Sequence, residues 1–331
     1  MNIKTRLSAF TLSLRLTCAF FLYFVAIGSL LHSSALAQDV TSGVNGISVR
    51  IAQQLQKIEA GERAGLSTAK LGYMWSVLAS QYQDAADGAR ALDAYERALH
   101  LLAKDPGSRS NYATSLDNLG ALYLEYGRIA EAEKVRKRAL EIRTEIGNPI
   151  DIAKSEQHMA EVALSQHRYK DAARGSRRAL EILSATGAAD RRSNITSELS
   201  ALVSLTYAEC MQSKQEDALQ HAERAIRLVE SAFSLNSLER AHVSMALGAA
   251  QWKMGQIAEA EQSMKDGLSI MRERLGENNP MVIAATFEYC DFLQAIHRNA
   301  EVAVLRKELS ERMSGMTRPL PGYAVSAYAL R

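Results

Sequence analysis

The stretch Gly127-Arg-Ile-Ala-Glu-Ala132 returns 128 residues later as Gly255-Gln-Ile-Ala-Glu-Ala260. Fainter copies lie between them. Anchoring each copy on its closing alanine picks out Ala91, Ala132, Ala172, Ala218 and Ala260, with Val302 in a degenerate sixth; the intervals are 41, 40, 46, 42 and 42 residues. A period of this size constrains a chain strongly. Each unit carries an apolar face that it can bury only against the next unit, so the units stack into a solenoid.

The rest of each copy stays in register with its anchor. Seven residues after it comes a small residue followed by an aliphatic one: Ala98-Leu99, Ala139-Leu140, Ala179-Leu180, Ala225-Ile226 and Gly267-Leu268. Thirteen residues before it stand Leu78, Leu119, Met159, Leu205, Leu247 and Tyr289. Apolar residues at helical spacing along two consecutive segments predict a pair of amphipathic helices per copy. Gly127 and Gly255 mark the break within a pair, where a left-handed residue ends a helix. Gly147-Asn148-Pro149 and Gly276-Glu-Asn-Asn-Pro280 supply the stop and restart between pairs. The glycines at 120 and 248 fall inside helices, at a cost of about 1 kcal/mol relative to alanine, which a close helix–helix approach offsets.

Leu119-Gly120-x-x-Tyr123 followed by Gly127 and Ala132, and Leu247-Gly248 followed by Gly255 and Ala260, resemble the tetratricopeptide repeat, with Trp75, Tyr82 and Tyr95 on its aromatic positions. That repeat is usually about 34 residues long. The longer period here, with Leu275-Gly276-x-x-x-Pro280 as linker, is similar to the kinesin light chain variety. The resemblance covers residues 67–313 and implies an all-α fold, a right-handed superhelical solenoid of about six helix pairs. It also implies a protein or peptide partner on the concave face, which the first helices line. In kinesin light chain repeats an asparagine on that face bonds the peptide backbone. Asn118 matches it, but the other copies carry Val77, His158, Ser204, Ala246 and Glu288. The lysine, arginine and asparagine cluster that grips carboxylate-ended chaperone tails is not matched either, since Lys154 and Lys253 stand alone.

At the N-terminus, Lys4, Arg6 and Arg15 precede an apolar run from Leu16 to Leu31, and Ala35-Leu36-Ala37 follows. A positive start, an apolar middle and an A-x-A site describe a secretory signal peptide over residues 1–37. Its removal takes away three basic and no acidic residues, moving net charge from +2 to −1. The alternative is an uncleaved helix anchoring a structural assembly subunit in a membrane, for which the run falls slightly short of the roughly 17–25 residues needed. Residues 38–66 then form an N-terminal segment with a capping helix at 46–60, bounded by a break at Gly61 to Ser67. Residues 314–331, with Pro319 and Pro321, form a C-terminal tail that either packs into the groove or stays disordered.

Chemistry is thinly represented. The histidines are scattered, with no H-E-x-x-H or C-x-x-C spacing, no G-x-S-x-G elbow and no phosphate-binding glycine loop. Cys210 and His242 make a conceivable nucleophile and base but have no third orienting group. Cys210 and Cys290 lie a whole repeat apart, too far for the roughly 7 Å limit of a disulfide. The expectation is a non-catalytic scaffold in an exported compartment, with no cofactor, no metal and no nucleic acid partner. The basic run Lys134, Arg136, Lys137, Arg138 and Arg143 alternates with glutamates and reads as a solvated outer face.

The inner face changes character along the chain. Early repeats present Ser76, Ser80, Gln83, Thr114, Asp117, Lys154, Gln157 and Glu161. Later ones present Val203 and a set expected to form one open apolar patch: Tyr207, Met211, Met245, Trp252 and Phe287. Methionine and aromatic side chains offer adaptable contact area, and Trp252 is the expected anchor.

Overall fold

A computed structural model describes residues 43–85, 87–186 and 191–314. The expected signal peptide and its cleavage site, and the tail from residue 315 onward, lie outside the described residues. Among the described residues the fold is all-α: a leading helix, α1 (Gly43–Arg63), is followed by six antiparallel pairs. The pairs are α2 (Thr68–Asp84) with α3 (Gly88–Leu102), α4 (Arg109–Glu125) with α5 (Ile129–Ile146), and α6 (Pro149–Ser165) with α7 (Tyr169–Ala185). Then come α8 (Arg191–Cys210) with α9 (Gln215–Ala232), α10 (Leu238–Lys253) with α11 (Ile257–Leu275), and α12 (Pro280–Ala295) with α13 (Asn299–Ser314). First helices begin 40 to 47 residues apart. Each second helix packs on its own first helix and on the first helix of the next pair, giving a superhelical solenoid.

Helix α1 extends beyond the expected span at both ends and runs through Gly61 without a break. The chain turns only at Gly65, whose φ is +65°. Gly61 sits under Leu66, where a Cβ atom would come within 2.8 Å of Leu66 Cδ1. Ile58, Leu55 and Ile51 meet the first pair, and Gln54 Nε2 donates to the Met74 carbonyl at 2.9 Å.

The residue five before each anchor, in the turn inside a pair, has positive φ in all five described pairs that reach it: Gly127, His167, Ser213, Gly255 and His297. Between pairs the side chains do the capping. The Asn148 side chain accepts from the amides of Ile150 and Asp151, and that of Asn279 from Met281. Each is followed by a proline at the first helical position, where a missing N–H costs nothing.

In the second and fifth pairs the residue four after the anchor lies over the glycine twelve before it. Met264 lies over Gly248, where a Cβ would be 2.6 Å from Met264 Cγ. Tyr95 and Ala79 share the first cluster of the core. In the second pair the covering residue is Arg136, whose Cγ would be 2.6 Å from a Cβ at Gly120.

The expected solvated basic face needs correction at this point. Lys134, Lys137 and Arg138 are exposed, but Arg136 is 0% and Arg143 5% exposed. Both reach inward between α4 and α6 and are neutralised there. Arg136 Nη1 donates to Glu161 Oε2 and to the His158 carbonyl, each at 2.8 Å, while Arg143 Nη1 pairs with Asp117.

Candidate partner-binding face

On the inner side of the early repeats Thr114 is exposed and Ser80 and Lys154 are half-buried, but the other expected residues are closed off. Ser76, Gln83, Asp117, Gln157 and Glu161 are all buried. They knit successive first helices together. Ser115 Oγ donates to Ser76 Oγ at 2.9 Å. Gln157 Nε2 donates forward to Ser204 Oγ at 2.8 Å and to the Ser200 carbonyl at 3.1 Å. Asp117 gathers Arg143, the Ser155 hydroxyl at 3.4 Å and His158 Nδ1 at 3.3 Å. Burial alone would raise the Asp117 carboxyl, but Arg143 and His158 hold it below its ordinary range. A buried polar group needs such partners, because leaving one unpaired costs about 1–3 kcal/mol. This requirement turns the early polar stripe into a seam instead of a ligand surface.

Glu125 closes the seam toward the first pair. Gln83 donates to it through Nε2 and accepts from the Tyr95 hydroxyl at 3.1 Å. Burial pushes the Glu125 carboxyl up to about 8; the Gln83 bond opposes this and the charge of Asp84 adds to it.

In the later repeats the five expected residues do not form one open surface. Met245 is 1% exposed and packed inside its own pair. A Cβ at Gly267 would be 3.0 Å from its Cγ and 3.1 Å from its Sδ, so the glycine makes the space it fills. Tyr207 is also buried, and its hydroxyl donates to Glu288 Oε1 at 3.2 Å. Met211, Trp252 and Phe287 remain partly exposed. Trp252 stands edge-to-face on Phe292 with ring centroids 5.8 Å apart, and Lys253 Nζ lies 4.5 Å from its ring centre.

Sequence reasoning missed the importance of Glu288, treating it only as a departure from the asparagine column that holds Asn118. Burial pushes its carboxyl up to about 8; the Tyr207 hydroxyl opposes that rise and Asp291 adds to it. His242 is pushed down to about 4 by burial, which leaves it uncharged at neutral pH. Cys210 and Cys290 are both buried and are not joined to each other. Among the described residues no group of three or more His, Cys, Asp or Glu side chains is placed to hold a metal ion. No helix among them is long and apolar enough to cross a membrane.

Residues 71–145, covering most of the first two pairs, match the tetratricopeptide repeat family model. That stretch of the chain carries tetratricopeptide repeats. No curated protein matches it as a relative. Several solved structures share the tetratricopeptide repeat solenoid at low identity. The apo form of RapI is 14% identical, with 90% of this chain and 99% of that chain covered and a TM-score of 0.61. The Rap conjugation gene regulator of plasmid pLS20, in complex with the Phr* peptide, is 16% identical, with 79% and 74% covered and a TM-score of 0.55. BtubC (BKLC) from P. vanneervenii is 18% identical, with 71% and 92% covered and a TM-score of 0.52. These likenesses show that the later pairs continue the same helical solenoid fold.

Proposed function

We propose that this protein is an exported, non-catalytic scaffold that holds a protein or peptide segment along the inner face of its fourth to sixth repeats. The observation that carries this reading is that Met211, Trp252 and Phe287 stay partly exposed in the later repeats. Met211 follows the last residue of α8, and Trp252 and Phe287 lie on the first helices of the next two pairs. Rigid aromatics and an adaptable methionine supply contact area at low entropic cost. The solved relative in fold that holds the Phr* peptide supports a peptide as the kind of ligand a solenoid of this shape accommodates. Export rests on the basic start, apolar run and Ala35-Leu36-Ala37 of the sequence.

A displayed peptide library selected on the protein lacking residues 1–37 tests the binding reading. Selected peptides are expected to shift Trp252 fluorescence and to lose at least tenfold in affinity to Trp252→Ala and Met211→Gln, with melting temperatures recorded in parallel. Selected binders indifferent to both substitutions would place the interface elsewhere. Intact mass of protein recovered from the producing cell tests export: loss of Met1 to Ala37 supports it, and a retained segment favours the anchored subunit.

A further inference from the structure

Successive first helices meet along a repeating seam. The residue fifteen before one anchor reaches the residue seventeen or fourteen before the next. Ser115 Oγ donates to Ser76 Oγ at 2.9 Å, Ser155 Oγ to Asp117 at 3.4 Å, and Gln157 Nε2 to Ser204 Oγ at 2.8 Å. In the sixth pair this position holds Phe287, a half-buried aromatic on α12. The sequence after α13 returns to the repeat pattern. Gly276, Pro280 and the large-then-small step Tyr289-Cys290 recur 39 residues on as Gly315, Pro319 and Tyr328-Ala329. Sister copies make the same step at Leu78-Ala79, Leu119-Gly120 and Leu247-Gly248.

We propose that residues 321–331 form a seventh first helix of this solenoid, docked on α12 and α13 with Ala324 and Ala327 against the Phe287 ring. At the same 39-residue offset those alanines follow Ala285 and Glu288, which stand seventeen and fourteen before the sixth anchor. These are the two places that receive the preceding pair's seam residue. Where that residue is polar it meets a hydroxyl. An aromatic ring instead needs small apolar neighbours, which let two helices close up around it without a void.

The local chemistry fits this placement. Six residues link Ser314 to Pro321, the same number as link α3 to α4. Pro321 stands at the first helical position, where its missing N–H costs nothing, and it holds Leu320 extended before it. One copy earlier the Tyr289 hydroxyl donates to Glu261 on α11 at 3.1 Å. The equivalent place on α13 is the exposed Ala303, an apolar surface for Tyr328 to cover. The fit is lighter than between the described pairs. Arg318 replaces the capping Asn279, and the exposed Ser310 replaces the leucine or isoleucine that the other copies carry eight after the anchor. The helix therefore docks reversibly. In the peptide-binding reading above it competes with a ligand for Phe287, whereas the docking itself does not rest on that reading.

The test needs no ligand. Hydrogen exchange on the full chain, followed by mass spectrometry, reads the segment directly. A helix this short is marginal alone in water, so protection there requires docking. The amides from Val325 to Leu330 should exchange about a hundredfold or more slowly than in the free peptide of the same sequence. Ala327→Asp puts a charge on the seam from outside the six pairs, and Phe287→Ala removes the ring. Each should return the segment to the free-peptide rate while α10 keeps its protection. Exchange at the free rate in the wild type, or protection that survives both substitutions, overturns the proposal. Protection that fades on dilution would place the segment on a second copy and overturn docking within the chain. Truncation after Ser314 should tighten the binding of selected peptides; an unchanged affinity would sink the competition alone, since the docking is decided by exchange.

Discussion

Removing the carboxylate of Glu161 should destabilise the protein far more than removing the carboxylate and its arginine together. Arg136 is 0% and Glu161 1% exposed, so neither charge has water to fall back on. Glu161→Leu leaves a guanidinium in the core that cannot shed its proton, and breaking a buried pair in this way costs about 3–5 kcal/mol. Arg136→Met leaves a carboxylate instead, which can neutralise itself by protonation. Its cost should shrink as pH falls, because burial already pushes the Glu161 carboxyl up and loss of Arg136 pushes it further. The double variant puts methionine over Gly120, as Met264 already lies over Gly248. It should be neutral or stabilising by about 1–4 kcal/mol. Urea melts followed by helical circular dichroism at pH 5 and pH 7.5 give the whole cycle. Single-variant costs that merely add, with no coupling above about 0.5 kcal/mol, would refute the buried pair.

Other outcomes are equally definite. Gly248→Ala should cost about 1–3 kcal/mol, because a Cβ there meets Met264 Cγ at 2.6 Å and the Ala260 carbonyl at 3.1 Å. Gly46→Ala, with nothing within 4 Å, should instead stabilise α1 by up to about 1 kcal/mol; thermal melts compare the two. Glu125 has a folded-state value of about 8 against an ordinary 4.5, so its contribution is present in acid and lost as pH rises through 8. Glu125→Gln should therefore melt higher than wild type at pH 8.5, with the difference gone near pH 4. Asn148→Ala, which deprives the Ile150 and Asp151 amides of their acceptor, should cost about 1 kcal/mol in the same melts.

The architecture was legible because the repeat writes its packing rule five times. Small residues at 120 and 248, the turns at 127 and 255, and the caps at 148 and 279 can all be read without coordinates. Individual charges are harder, since a helical period cannot say whether an arginine is solvated or paired. A signal existed nonetheless. Arg136 occupies the column that holds Tyr95, Ser176, Ala222 and Met264 in four sister copies, all of them buried, with a half-buried Arg306 in the degenerate sixth. Reading down the column, instead of along the helix, would have placed it inside. Met245 failed differently. Its column mixes Ser76, Asp117, Gln157, Val203 and Phe287, so it carries no consistent preference. What buries Met245 is the glycine at 267, in a place where other copies hold alanine. The bond from Tyr207 to Glu288 was out of reach for a third reason: contact between the fourth and sixth repeats depends on superhelical curvature, which no single copy encodes.

The turn inside each pair has an implication for engineering. His167, Ser213 and His297 adopt the same left-handed geometry as Gly127 and Gly255, with φ of 58°, 58° and 65°. The connection is thus fixed in length and backbone shape whatever residue occupies it, while the intervals between anchors vary from 40 to 46 residues. Length variation falls in the links between pairs and at the start of α8, which has 20 residues against 16 or 17 in the other first helices, so the turn-joined part of the helix pair is the transferable module. Recombination boundaries at Gly147-Asn148 or Glu277-Asn278 would move whole helix pairs with their caps, although the first of these parts Arg136 from Glu161, so both partners must be carried over or replaced together. A boundary at Gly127 or Gly255 would separate each covering side chain from the small residue beneath it.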